Sequence, residues 1–280
     1  LMRRDIDKQI RLRVHQQLAL DFKQAGFVRR AVRALEFVVA KDKKRADALA
    51  ELAALYEQDG RWERAAAVYR RLGKVSDRDT GALQAHMLAE HAHDALDRGE
   101  LSVARKSLRR AVAASEGSVH ALHVLALYQQ RKDSPAAAAR VWEKALRRAP
   151  ELVSFFGPRL EAILFEQDRL DDYERLLEQL LQEHPGDIHL RLAYARFDAR
   201  RDPRGTLEQL TGLLEEAPNL LPARREAARL VLAQNEPEAI RAAFEELLQL
   251  LARADRGFRC ASCGHTDDEL FWRCPSCGSW

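Results

Sequence analysis

The fold is decided by residues 46–79, which read ADALAELAALYEQDGRWERAAAVYRRLGKVSDRD. Its first half carries Leu52-Ala53 and Tyr56, and its second half carries Ala65 and Tyr69, so small and bulky apolar residues alternate one helical turn apart. Gly60 separates the halves, and glycine readily adopts the left-handed backbone that ends a helix. The stretch therefore predicts two antiparallel helices joined by a short turn.

The same pattern recurs along the chain with a period of 34 residues. Successive intervals are 34, 39, 34, 34, 34 and 34 between Ala31, Ala65, Ala104, Ala138, Asp172, Thr206 and Ile240. An apolar residue follows each of these by four positions, and a mostly small residue precedes each by twelve. We predict a repeat body over residues 1–254 with an insertion at 80–84; its seven repeats fall at about 12–45, 46–79, 85–118, 119–152, 153–186, 187–220 and 221–254.

The turn residues keep the same register as the repeats. The position just before each turn is occupied by Gly26, Gly60, Gly99, Asp133, Gln167, Arg201 and Asn235. Two residues later, three repeats carry proline: Pro135, Pro203 and Pro237. Proline suits the first turn of a helix because its missing N–H has no partner there. The second helix of each repeat is therefore predicted to begin at this position.

The composition of the 280-residue chain agrees with an all-α fold and excludes several classes of protein. Apolar residues make up 46% of it and charged residues 32%, which is too apolar for a disordered tail. A net charge of +3 gives no reason to expect a nucleic-acid partner. No apolar run is long enough to span a membrane. Because the first residue is Leu1, we expect the chain to be a fragment of a longer protein, and a preceding segment could change the prediction about the membrane.

All four cysteines lie in the last 21 residues, in two CxxC pairs: Cys260 and Cys263, then Cys274 and Cys277. Two such knuckles aim four thiolates at one tetrahedral ion, as in structural zinc and rubredoxin iron sites. A glycine follows each pair, at Gly264 and Gly278, where a knuckle turn is expected to need a positive φ angle. We predict a metal-binding domain at 257–280 holding one ion, iron or zinc. The alternative, four free thiols in a tail, leaves the spacing unexplained.

Nothing in the sequence indicates an enzyme or a cofactor other than this ion. Phosphate-binding loops, nucleophile elbows and HExxH motifs are absent from the sequence, and a metal saturated by four sulfurs has no open position for water.

Two further sets of residues, arginine pairs and histidines, could have a function in binding. Arginine pairs such as Arg109–Arg110 and Arg200–Arg201 are interpreted as a salt-bridged solvated face, with an acidic partner as the alternative.

Histidines form the second set. His86, His93, His120 and His123 map to first-helix positions that line the groove of repeat solenoids. The simple interpretation is a solvated polar lining. The alternative hypothesis is a partner-recognition patch whose charge changes on mild acidification.

The period of 34 residues resembles the tetratricopeptide repeat, so the chain is predicted to form a superhelical solenoid followed by a rubredoxin-like knuckle. That combination, and the ending from Phe258-Arg259-Cys260 to Cys277 and Trp280, resembles the bacterial lipopolysaccharide assembly protein B (YciM) family. Members of that family carry an N-terminal transmembrane helix. The resemblance therefore implies a location at the cytoplasmic face of the bacterial inner membrane, with this chain as the soluble portion of the protein.

The resemblance also implies a regulatory function and particular partners. It implies an adaptor that restrains lipopolysaccharide synthesis by promoting degradation of the LpxC deacetylase by the membrane protease FtsH, with a PbgA (YejM) membrane protein as antagonist. The family's metal ligands correspond to the four cysteines, whereas no partner-binding residue carries over. A generic tetratricopeptide scaffold and an iron-dependent redox protein remain as alternatives.

Overall fold

The computed structural model describes residues 8–76, 78–218, 220–235, 245, 248 and 257–280. In these residues thirteen α-helices are followed by two short strands. The helices are α1 Lys8–Gln24, α2 Val28–Lys41, α3 Ala46–Gln58, α4 Trp62–Val75, α5 Gly81–Asp97, α6 Leu101–Ala114, α7 Val119–Arg131, α8 Pro135–Arg148, α9 Val153–Glu166, α10 Leu170–Glu183, α11 Ile188–Asp198, α12 Pro203–Glu216 and α13 Leu221–Asn235. A 3₁₀ turn spans Pro150–Leu152, and the strands are β1 Phe258–Arg259 and β2 Thr266–Asp267. The all-α prediction, with a knuckle at the end, is confirmed.

A left-handed residue closes the turn inside each of the first five helix pairs. The φ angles are 77° at Gly26, 67° at Gly60, 73° at Gly99, 53° at Asp133 and 55° at Asp168. In the fifth pair the sequence alignment pointed to Gln167, whereas the left-handed backbone lies one residue later. Aspartate tolerates that conformation better than glutamine because its short side chain bonds locally. Helices α8 and α12 begin at Pro135 and Pro203, as predicted; Pro237 lies outside the described residues.

The chain divides into two compact units, residues 1–141 and 142–280. In the first unit the small residues of the repeat pattern are fully buried, as Ala31, Ala65 and Ala104 show with 0% exposure. Their lack of bulk lets neighbouring helix backbones approach closely. Bulky partners such as Leu108, at 2% exposure, fill the space between them. The repeat pattern is therefore a packing pattern.

Aromatic rings are prominent in the core of the second unit. Trp142 and Phe156 are both 0% exposed, with ring centroids 5.3 Å apart. Tyr173 lies edge-on to Phe197 at 5.5 Å. Nearer the end of the helical part, α11, α12 and α13 enclose an aliphatic cluster of Leu192, Ala195, Leu210, Leu213, Ala223 and Leu230. No helix in the described part of the chain is long and apolar enough to cross a bilayer.

Candidate metal centre and its docking surface

The first cysteine pair lies in the turn between β1 and β2. The strands are antiparallel, with Phe258 opposite Asp267 and Arg259 opposite Thr266. Inside the turn the Gly264 amide donates to the Cys260 carbonyl at 3.0 Å, and the Cys260 amide donates to the His265 carbonyl at 2.8 Å. These two bonds close the turn so that both thiols project to the same side.

The second cysteine pair repeats this geometry without a strand pair. The Gly278 amide donates to the Cys274 carbonyl at 2.9 Å, and the Cys274 amide donates to the Ser279 carbonyl at 2.7 Å. Both glycines have positive φ, 77° at Gly264 and 72° at Gly278. A side chain is strained in that region, so the predicted role of glycine after each CxxC is confirmed.

The four sulfurs converge on one point. The Sγ atoms of Cys260, Cys263, Cys274 and Cys277 all lie within 4.8 Å of one another. Two cross-pairs, Cys260–Cys277 and Cys263–Cys274, are separated by 3.6 Å. Four sulfurs placed tetrahedrally around an ion at 2.3 Å would be roughly 3.8 Å apart. The donor set therefore fits one tetrahedral zinc or iron ion, and no other metal-competent cluster occurs among the residues that the structure describes.

The surrounding hydrogen bonds favour thiolates at two of these cysteines. Backbone N–H groups of Cys263 and Ser262 lower the pKa of the Cys260 thiol. The side chain and N–H of Ser279 lower the pKa of Cys277 to about 6. At Cys263 the His265 N–H lowers the pKa, but the neighbouring thiols outweigh it and raise the pKa to about 11. Four close thiolates repel one another, so the cluster needs a cation at its centre to ionise fully.

An arginine side chain packs against each knuckle. This role of the arginines was not predicted from the sequence. Each knuckle has the sequence Arg-Cys-x-x-Cys-Gly, starting at Arg259 and at Arg273. The guanidinium of Arg273 donates from Nε to the Gly278 carbonyl at 3.3 Å and lies 5.8 Å from the Trp280 ring centroid. The guanidinium of Arg259 occupies the space beside Gly264. Because the arginine occurs at the same position before both CxxC pairs, the sequence could have indicated that it has the same structural role in each knuckle.

The knuckle contacts helix α9 through an aromatic pair. The rings of Phe258 and Phe155 meet edge to face, with centroids 5.5 Å apart. The guanidinium of Arg159, one turn further along α9, stacks 3.9 Å from the Phe155 ring centroid. It also donates a hydrogen bond to the backbone carbonyl of Phe155 at 2.7 Å. Burial lowers the pKa of Arg159, while the Glu269 carboxylate from the knuckle raises it. The knuckle thus brings an aromatic ring and a negative charge to this helix.

The leucine-rich stretch just before the knuckle, with Leu247, Leu248, Leu250 and Leu251, predicts that the knuckle docks against the last repeats. Of these four leucines only Leu248 lies among the described residues, where it is buried. The contact that the structure describes is with α9, in the fifth repeat of the sequence register. Docking against the last repeats therefore stays a prediction.

The four histidines lie close together in the first unit, on α5 and α7. His120 is buried at 1% exposure, whereas His86, His93 and His123 are half-buried. The Nδ1 atoms of His86 and His120 are 3.2 Å apart, and His120 Nε2 lies 3.3 Å from a Glu90 carboxylate oxygen. A carboxylate can only accept, so a neutral His120 that faces Glu90 carries its proton on Nε2, and its Nδ1 is then left to accept from His86 Nδ1–H.

The electrostatics of this cluster favour uncharged rings. Burial lowers the pKa of His120 well below its ordinary value, and the neighbouring histidines lower it further. Burial also lowers the pKa of His86, partly offset by the Glu57 carboxylate. These two rings therefore gain charge only below the ordinary histidine value of 6.5.

Several of the paired arginines are neutralised by carboxylates. Arg110 lies 2.6 Å from Glu63, and Arg200 lies 3.1 Å from Glu161. Arg201 pairs with Glu174. Arg109 differs, because it has no carboxylate within 4.0 Å in the part of the chain that the structure describes.

Comparison with known proteins gives one match at the knuckle and further matches along the whole chain. Residues 258–280 match the family described as Rubredoxin metal binding domain. Lipopolysaccharide assembly protein B of Escherichia coli K12 is 26% identical over 279 residues, which cover 96% of this chain and 70% of that protein. The Haemophilus influenzae protein of the same name is 24% identical over 278 residues, which cover 96% of this chain and 68% of that protein. The resemblance predicted from the sequence is confirmed.

Solved structures with similar folds share less sequence with this chain. A tetratricopeptide repeat protein from Parabacteroides merdae is 18% identical, with a TM-score of 0.41 over 86% of this chain and 97% of that one. The MamA protein is 17% identical, with a TM-score of 0.42 over 62% of this chain and 92% of the MamA chain.

Proposed function

We propose that this chain is a non-enzymatic adaptor in lipopolysaccharide assembly, which binds an LpxC-type deacetylase and promotes its degradation by the protease FtsH. The observation that carries the proposal is the similarity to lipopolysaccharide assembly protein B over 96% of the chain, covering both the helical repeats and the metal knuckle. A match to the knuckle alone would support only a metal-binding module.

The geometry is compatible with protein binding. Stacked helix pairs offer extended surfaces, which repeat proteins use to hold partners. We propose a repeat body over 1–254, whose seventh repeat is 221–254, and a rubredoxin-like domain over 257–280. In that domain Cys260, Cys263, Cys274 and Cys277 would hold one ion and leave it no free coordination position, which supports a structural role.

The proposed location is the cytoplasmic face of the bacterial inner membrane, where the protease and a PbgA (YejM) antagonist would also be found. Confining adaptor and protease to one membrane raises their effective concentration, so weak individual contacts suffice. We propose the face around His86, His93, His120 and His123 as one partner-binding region. It combines half-buried polar rings with two nearby carboxylates.

The proposal is tested by following the deacetylase in cells of the source bacterium. Depleting the adaptor should lengthen the half-life of LpxC, and the full gene should restore it. A gene with Cys260→Ser and Cys263→Ser should fail to restore turnover if the metal domain takes part. An unchanged half-life on depletion would refute the degradation function and leave a scaffold for another partner.

A second candidate function, one-electron transfer, is favoured by the four-sulfur donor set alone. Iron in such a site changes its visible absorption on reduction, whereas zinc is colourless. Metal analysis and a reductive titration of the purified protein separate the two. A colourless, zinc-loaded protein would remove the redox candidate.

A further inference from the structure

We propose that the groove between α6 and α7 binds an acidic amphipathic helix of a partner protein. The inference rests on the proposed adaptor function, because it supposes a protein partner, but it concerns residues other than the metal ligands and the four histidines. Three observations carry it: a cavity, its lining, and the local balance of charge.

The groove is a cavity of about 430 Å³ lined by one stripe from each helix. On α6 the lining residues are Arg105, Leu108, Arg109 and Val112; on α7 they are Leu125, Tyr128 and Gln129. Both sets follow the spacing of a single helix face. The volume lies within the range of binding pockets, so the groove is large enough to accept apolar side chains from another molecule.

The floor of the groove is apolar and its edge is cationic. Leu108 and Tyr128 are buried, at 2% and 7% exposure, and Leu125 is half-buried. The arginines Arg105 and Arg109 are exposed along one edge. The groove therefore presents an apolar surface bordered by positive charge, which is the complement of an amphipathic acidic segment.

The two arginines are available to a partner. Neither has a carboxylate within 4.0 Å in the described part of the chain, whereas Arg110, on another face of α6, pairs with Glu63 at 2.6 Å. Helices α6 and α7 together carry five cationic side chains and no carboxylate, although the whole chain is nearly balanced at 46 to 43. This imbalance attracts an anionic ligand.

The spacing of the arginines indicates the form of that ligand. Four residues on a helix correspond to about 6 Å along its axis. Glutamates one turn apart on a partner helix have the same separation, so each would meet one guanidinium. The apolar side chains beside them would enter the groove over Leu108 and Leu125, in the helix-in-groove mode of recognition.

Fluorescence anisotropy with the metal-loaded chain tests this inference. The probe is a labelled helical peptide with two glutamates one turn apart beside a leucine stripe, and the comparison peptide has glutamines instead. We expect saturable binding of the acidic peptide, weakened roughly tenfold by Arg109→Glu. Leu125→Trp, which fills the groove without changing charge, should weaken it similarly.

The matched control is Lys106→Glu, which makes the same charge change on the same helix but outside the groove lining. It should alter the affinity by less than about twofold. Equal loss in Lys106→Glu and Arg109→Glu would overturn the inference, as would failure of the acidic peptide to bind. Binding of anionic phospholipid vesicles instead of the peptide would also overturn it.

Capture of LpxC from extracts distinguishes this inference from the proposed function. Suppose that Arg109→Glu no longer binds the peptide but captures the deacetylase as well as the unaltered chain does. The groove is then a binding site for another partner, and the adaptor function stands. If the peptide binds and the unaltered chain captures no deacetylase, the proposed function fails and the groove remains. If Arg109→Glu loses neither ligand, the groove inference fails.

Discussion

Phe155 of α9 and Phe258 of β1 meet edge to face, with ring planes at 84° and centroids 5.5 Å apart. They are separated by more than a hundred residues in the sequence, yet this pair joins the helical part of the second unit to the metal knuckle. An edge-to-face pair places the positive edge of one ring against the negative face of the other. The contact is therefore specific in geometry as well as apolar.

Removing either ring should weaken the attachment of the knuckle. We expect a double-mutant cycle of Phe155→Ala and Phe258→Ala to give a coupling energy of about 0.5–1.5 kcal/mol, measured by denaturant unfolding. Phe165→Ala is the control, since its side chain lies on the same helix but is 65% exposed. A coupling energy of zero would mean that the two rings do not stabilise each other.

Loss of the metal should destabilise α9 as well as the knuckle. Cys274→Ser removes the most buried of the four ligands, at 2% exposure, so the knuckle loses the ion that supplies its folding energy. Amide hydrogen exchange at α9 should then become faster, and the melting temperature of the second unit should fall. Ser276→Ala, an exposed change in the same knuckle, should leave both unchanged. Unaltered exchange at α9 in Cys274→Ser would show that docking contributes no stability.

A methyl group at Gly264 should disturb the first knuckle. Its φ of 77° disfavours a side chain, and an added Cβ would lie 3.3 Å from Arg259 Nη2. We expect Gly264→Ala to cost roughly 1–2 kcal/mol and to lower metal affinity in a competition with a chelator. Gly257→Ala is the matched control, because a Cβ there meets no atom of the described residues within 4 Å and the backbone is not left-handed. Equal affinity in both variants would contradict the strain argument.

Acidification should destabilise the first unit through its histidine cluster. The folded pKa values of His86 and His120 are lowered from 6.5, so below that pH the unfolded chain binds more protons than the folded chain. The free energy of unfolding contributed by these rings is fully present above 6.5 and is lost as the pH falls through the folded values. Glu57 and Glu90 face the cluster and oppose the effect, while His93 and His123 reinforce it at His120.

Urea unfolding between about pH 7.5 and about pH 5.5 measures this dependence. His120→Gln should be less stable at the higher pH, because it loses a buried ring, but its stability should vary less with pH. His184→Gln, which changes an exposed histidine in the second unit, should keep the pH dependence of the unaltered chain. A steeper dependence in His120→Gln would contradict the assignment of neutral rings.

The features that could be predicted from the sequence are those that depend on the spacing of residues along the chain. Ala65 and its equivalents mark buried helix contacts, and Cys260 with Cys263 marks a metal turn, because both patterns repeat at fixed intervals. The contact between Phe155 and Phe258 could not be predicted, since nothing in either residue's neighbourhood specifies a partner so distant in sequence. The burial of His120 was missed for a related reason: a histidine at a first-helix position can face solvent or a neighbouring helix, and only packing decides.

The exposure of the four cysteines differs by position within each knuckle. Cys260 and Cys274, the first of each pair, are buried at 8% and 2%, whereas Cys263 and Cys277 are exposed. A bound ion would therefore be held by two buried sulfurs and two exposed ones. A chelator, a competing metal or an oxidant would meet Cys263 and Cys277 before it met Cys260 and Cys274.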